Sequence, residues 1–172
     1  YSGDLLKILN IRLGGLAIHG GLIFGLGAAA ILCVIWKIRP LNAMDLAAPC
    51  IAIAQSIGRW GNYFNSEAHG GPTDLPWGVE INGMTYHPTF LYESIWCFML
   101  FFFLIYVDNR RKFEGQTILL YGILYSVERF FVEGLRTDSL MIGPFRQAQL
   151  LSLTVIIICT AFYLILRKKM SR

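Results

Sequence analysis

Arginines, carboxylates and a histidine recur inside otherwise apolar stretches of this sequence, in four groups. Such residues are costly in an apolar setting unless each meets a counter-charge, a bound anion or water. In GRWGNYFNSEAHG, Gly58 to Gly70, helical spacing puts Gln55, Arg59 and Asn62 at i, i+4 and i+7. An amide, a guanidinium and a second amide then share one face able to hold an anion. Gly58 and Gly61 permit close backbone approach, and Asn65 and Glu67 continue the polar surface where helix gives way to loop. The purely structural alternative pairs Arg59 with Glu67 or Asp74 at a helix end.

In YSVERFFVEGLR, Tyr125, Arg129, Glu133 and Arg136 follow at i, i+4, i+8 and i+11 and form a stripe along one helix. Glu128 or Glu133 is the expected counter-charge of Arg129, unless a substrate anion fills that role. In GGLAIHGGLIFG, His19 sits between glycines, where an imidazole could take a proton near neutral pH or simply serve packing. In HPTFLYES, Pro88 suits the first turn of a helix, Thr89 could help cap it, and Tyr92 and Glu93 would then face inward. Capping does not explain Glu93.

The elements that must position these groups are membrane spans. A chain of 172 residues with 55% hydrophobic and only 15% charged residues is too apolar for an ordinary soluble domain. Apolar runs at about 14–36, 90–107, 117–135 and 148–166 approach the roughly 20 residues that cross a hydrocarbon core. A fifth, 44–64, is interrupted by Asp45, Pro49, Gln55 and Arg59, so it should face protein rather than lipid. The expected fold is therefore all-α, a polytopic helix bundle forming one transmembrane domain, with an external loop region at 66–87 rich in Gly and Pro.

Lys and Arg accumulate in short cytoplasmic loops. With five spans, Lys37 and Arg39, Arg110 to Lys112, and Arg167 to Lys169 with Arg172 all fall on one side. This places the N-terminal end outside and the C-terminal end in the cytoplasm, and it brings all four polar groups toward the external leaflet. The net charge of +4 is mostly a topology signal and does not point to nucleic acid. Arg59, Arg129, Arg136 and Arg146 lie on the side this rule depletes of positive charge, so a lipid phosphate is the expected counter-ion. Cys33, Cys50, Cys97 and Cys159, within apolar runs and without CxxC spacing, read as small buried hydrophobes.

The chain resembles the bacterial prolipoprotein diacylglyceryl transferase family. The resemblance covers most of the sequence and rests on HGG at His19, G-R-x-G-N-x-x-N-x-E-x-x-G at Gly58 to Gly70, HPTFLYE at His87 to Glu93, and Y-x-x-x-R-x-x-x-E-x-x-R at Tyr125 to Arg136. It implies transfer of the diacylglyceryl group of phosphatidylglycerol to the lipobox cysteine thiol of a prolipoprotein signal peptide. A thioether forms and glycerol phosphate leaves, in the bacterial inner membrane, without metal or cofactor. The resemblance marks His19, Arg59, Arg129 and Glu133 as catalytic candidates. Asn62, Asn65, Glu67, Gly70, Tyr125 and Arg136 join Arg59 and Arg129 as substrate-binding candidates. Two departures matter: Phe90 stands where the family pattern has Gln, and the family's about seven spans and N-terminal tyrosine imply that this chain lacks N-terminal spans.

A transporter or channel lined by the same Arg, Glu and Asn residues is the alternative. A pore would spread polar residues through the full depth, whereas here they gather at one end and the other halves stay apolar apart from Asp45. A lipid phosphatase or membrane protease would need a Ser-His, paired-Asp or HExxH arrangement, which the sequence lacks.

Overall fold

A computed structural model describes residues 18–65, 67, 69–137 and 139–170. The element order is α1 (Ile18–Ile35), α2 (Pro40–Phe64), β1 (Val79–Ile81), β2 (Met84–Tyr86), α3 (Thr89–Asp108), α4 (Gln116–Leu135), β3 (Met141–Ile142), β4 (Phe145–Arg146) and α5 (Gln147–Met170). The chain divides into a unit up to Pro40 and a second from Leu41 onward.

In the first unit, α1 corresponds to the expected 14–36 span, of which 14–17 and the side chain of His19 lie outside the described residues. The helix closes in a Schellman arrangement: Ile38 N–H donates to Cys33 O at 2.9 Å and Lys37 N–H to Val34 O at 3.2 Å. Lys37 takes the left-handed conformation this needs, φ 53°, in place of the usual glycine. Its cation suits the negative end of the helix dipole.

In the second unit, α2 begins four residues before the expected 44, because Pro40 is tolerated in a first helical turn that needs no N–H donor. Pro88 takes the N-cap position of α3 rather than its first turn, and Thr89 is the first helical residue rather than a cap. α5 runs on through Arg167, Lys168 and Lys169, whose charges complement its C-terminal dipole.

Two small antiparallel hairpins correct the all-α expectation. Within 66–87, β1 and β2 flank Asn82-Gly83, both at positive φ (53° and 82°), a pairing that favours a type I′ turn. The alternation Val79-Glu80-Ile81 and Met84-Thr85-Tyr86 around Asn-Gly was the available signal, overshadowed by the Gly and Pro content. β3 and β4 flank Gly143-Pro144, with Gly143 at φ 60°.

Helices α2 and α3 meet through small residues. Ala48 and Ala52 pack with Leu100 and Leu104, and Trp96, Ile118, Tyr121, Leu124 and Tyr125 surround them. Ser56 Oγ donates to Ser94 O at 2.8 Å, and Ser94 Oγ returns the bond to Ser56 O at 2.9 Å. Such short side chains let backbones approach closely. Gly122 does the same between α4 and α5, where an added Cβ would sit 2.9 Å from Cys159 Sγ. Of the cysteines, Cys97 is buried as expected, but Cys50 is exposed and Cys159 half-buried. The helix exteriors are themselves apolar, so an outward-facing thiol is as much at home as an inward one.

Among the described residues of this unit, the interior carries many polar side chains and the exterior many large apolar ones. Asp45, Ser56, Glu93, Ser94, Thr117, Ser126, Glu128 and Glu133 are buried, while Phe98, Phe102, Phe103, Leu151, Phe162 and Ile165 are exposed. α3 and α5 are long and apolar enough to cross a membrane.

Asp45, the isolated acid of α2, is fully buried and caps α4 from across the bundle. Its carboxylate accepts from Gly115 N–H (2.6 Å), Ile118 N–H (3.0 Å) and Arg111 Nη1 (3.0 Å). These are donors that a helix start leaves without intrahelical partners. Asp45→Ala is expected to lower stability by about 2–3 kcal/mol, because it orphans buried donors as well as losing their bonds. An unfolding midpoint unchanged from wild type in detergent would contradict this role.

The same contacts set the ends of the unit. Arg111 lies beside the start of α2, and Phe113 meets Tyr163 of α5 with ring centroids 5.3 Å apart. Lys112 and Arg167 line one crevice. The basic groups 110–112 and 167–169 therefore share one end.

Candidate functional site

The polar groups of α2, α3 and α4 gather at the other end, around a residue outside the sequence-derived site set. Glu93, at 2% side-chain exposure, is bracketed by both arginines. Arg59 Nε lies 2.7 Å from Glu93 Oε2, and Arg129 Nη1 lies 2.6 Å from Glu93 Oε1. The expected partner Glu133 also contacts Arg129, with Oε2 2.9 Å from Nη2, an ion pair not aligned as a hydrogen bond. Arg59 Nη2 donates to Tyr125 Oη at 3.1 Å, and the Tyr125 ring stacks on Tyr121 at 5.6 Å. Tyr121 Oη in turn donates to Gln55 Oε1 at 2.9 Å.

Arg59 therefore does not pair with Glu67 or Asp74. Glu67 is exposed and accepts from Asn65 Nδ2 at 3.0 Å. The signal for Glu93 was present, as an ionisable residue in an apolar helix that capping did not explain. Its partners, 34 and 36 positions away in sequence, could not be read locally.

At about one-fifth exposure, the two arginine side chains remain reachable. Each guanidinium carries five N–H groups, so the contacts above leave donors on both for an incoming anion. The carboxylates hold the two forks side by side. An anion with several oxygens, such as a phosphate diester, matches such a pair.

Arg136 departs from the expected stripe. α4 ends at Leu135, and Arg136 is its C-cap in an extended conformation, ψ 145°, so it no longer continues the helical face. It forms an isolated antiparallel bridge with Gly70. Gly71 N–H donates to Leu135 O at 2.9 Å, Gly70 N–H to His87 O at 2.9 Å, and His87 N–H to Gly71 O at 3.0 Å. The chain at Gly70-Gly71 thus joins the C-terminus of α4 to the approach of α3. A Cβ at Gly70 would stand 2.6 Å from His87 Cβ and 3.1 Å from Leu135 O. Gly70→Ala is expected to lift this segment, costing about 1–3 kcal/mol and speeding proteolysis within 71–87; an unaltered digestion rate would count against it.

Tyr92 turns toward the loop: Trp77 Nε1 donates to its Oη at 3.0 Å, and His87 Nδ1 lies 3.3 Å from it. Phe90 packs with Tyr63 (5.0 Å between centroids) and Trp60 (5.5 Å). A cleft of about 300 Å³ lies here, lined by Asn62, Glu67, His69, Glu80, His87 and Phe90 among others. It adjoins the arginine–carboxylate cluster, since Asn62 follows Arg59 on α2 and Phe90 precedes Glu93 on α3. Arg146 donates to the backbone carbonyl of Glu133, and Gln149 Nε2 to Phe130 O at 3.1 Å, tying the start of α5 to the same end.

Fold and site define a mainly helical protein with many apolar outward-facing side chains and a buried arginine–carboxylate cluster joining α2, α3 and α4. The family model described as prolipoprotein diacylglyceryl transferase matches residues 1–165. The chain belongs to this family, which is membrane-associated. It is similar to phosphatidylglycerol–prolipoprotein diacylglyceryl transferases of Clostridioides difficile (53% identical, 91% of this chain, 63% of that protein) and Finegoldia magna (51%, 91% and 64%). The corresponding protein of Clostridium kluyveri is 48% identical over the whole of this chain and 71% of its own length. The chain thus spans less than two thirds of the first two relatives. These relatives leave the transporter or channel alternative without support.

Proposed function

We propose that the protein containing this chain transfers the diacylglyceryl group of phosphatidylglycerol to the cysteine thiol of a prolipoprotein lipobox, forming a thioether and releasing glycerol phosphate. The relatives' names specify this donor and acceptor class. The observation that carries the reading to these residues is the convergence of Arg59 and Arg129 on Glu93.

In this reaction sulfur attacks a glycerol carbon and a phosphate ester leaves, so negative charge moves from sulfur to phosphate. Arg59 and Arg129 grip the phosphate and stabilise that charge as it develops. Glu93 and Glu133 hold the guanidiniums, and Tyr125 fixes Arg59. Asn62, Asn65, Glu67 and the cleft beside them receive the head group or peptide, with Gly70 and Arg136 shaping its wall. His19 is the resemblance-based candidate for proton shuttling.

The apolar faces, the basic end and the opposite charge cluster support a single polytopic transmembrane domain with spans near 14–36, 44–64, 90–107, 117–135 and 148–166. The N-terminal end lies outside, the C-terminal end in the cytoplasm, and the site faces the outer leaflet of the bacterial inner membrane. The test supplies phosphatidylglycerol and a lipobox peptide to the full-length protein in lipid vesicles. A thioether-linked diacylglyceryl peptide, with glycerol phosphate released, is expected in the mass spectrum. Absence of product together with solute flux across the vesicles would overturn the reading.

A further inference from the structure

Glu128 is the carboxylate that the phosphate-gripping arrangement does not use. It lies on α4 three residues after Tyr125 and next to Arg129, at 6% exposure, and neither carboxylate oxygen has a hydrogen-bond partner. A buried polar group without a partner is expensive, and in a native site it commonly marks a group awaiting a ligand or a proton. The charged and titratable groups within its electrostatic reach are Arg59 from α2, Glu93 and Cys97 from α3, and Tyr125 and Arg129 on its own helix. Within that set, Glu93 has both oxygens engaged by guanidiniums, and Glu133 beside it contacts Arg129. Glu128 alone of the three carboxylates keeps both oxygens uncommitted, within the field of the two arginines.

Resting on the transferase reading above, we propose that Glu128, in place of the resemblance-based candidate His19, is the catalytic base, its free carboxylate taking the proton from the lipobox thiol as sulfur attacks. The S–H electron pair becomes the new S–C bond at the glycerol carbon of phosphatidylglycerol. The C–O bond breaks with its pair left on the phosphate oxygen, and glycerol phosphate departs against Arg59 and Arg129. The proton held on Glu128 then passes to the departing phosphate or to water, restoring the carboxylate. Sequence periodicity offered Glu128 only as a counter-charge of Arg129, a place that Glu93 and Glu133 occupy instead.

The test compares Glu128→Gln, which preserves shape and removes the base, with wild type on two peptides in phosphatidylglycerol vesicles. One peptide carries the lipobox cysteine, and the other carries selenocysteine at that position, kept reduced. A selenol is ionised at neutral pH without help. For the thiol peptide, kcat/KM is expected to fall about 100-fold or more, the range general-base catalysis supplies. For the selenol peptide, which needs no base, the fall should stay within roughly threefold. An equal loss on both peptides would make Glu128 a structural or positioning residue and overturn the proposal, and so would full activity on both. Failure of wild type on the thiol peptide would remove the transferase reading itself, so the two failures are distinct.

Discussion

Arg129→Lys is expected to reduce transfer activity about 100-fold or more, as the loss of a positioned charge-stabilising donor does. In the native site one guanidinium reaches Glu93 through Nη1 and Glu133 through Nη2. A single ammonium cannot span both carboxylates and still present a planar pair of donors to phosphate. The lysine variant keeps the charge, so it separates fork geometry from electrostatics. Steady-state transfer to a lipobox peptide is the measurement, with folding checked by the unfolding midpoint. Turnover near wild type would mean that Arg129 serves structure alone.

The second large effect falls on Glu93. Glu93→Gln removes the charge on which Arg59 and Arg129 converge, leaving two mutually repelling cations with their shared partner gone. Breaking a buried ion pair from one side costs about 3–5 kcal/mol, and of the two direct carboxylate contacts of Arg129 only the one to Glu133 remains. The expected result is a strong fall in the thermal midpoint together with loss of transfer. Anionic lipid should restore part of the stability, because a phosphate can replace the missing carboxylate between the two forks. A variant as stable as wild type in neutral detergent would show that Glu93 is not the hub of the cluster.

The two arginines differ in how readable they were. The four-residue spacing of Arg129 and Glu133 is a local property of one helix, and the pair is formed in the fold. Arg59 shares no helix with its partner. Proximity in sequence offered Glu67 and Asp74, but Glu67 lies in the loop after Phe64, where its carboxylate accepts from Asn65. Arg136 fits the helical stripe only if α4 continues, and the bridge to Gly70 ends it one residue earlier. Asp45 read as an interruption of an apolar run, and its cause lies 70 and 73 residues away, in the N–H groups at the start of α4.

The sequence by itself determined that the chain is mainly helical, where its helices run to within a few residues, and which charges share a helical face. These are matters of short-range sterics, hydropathy and a 3.6-residue period. Tertiary structure alone decided that Glu93 joins Arg59 to Arg129, that Glu128 is left without a partner, and that β1 lines the cleft. Those outcomes depend on which faces meet. That choice is set by close packing at Ala48, Ala52, Ser56, Ser94 and Gly122, and apolar exteriors that look alike in sequence do not announce it.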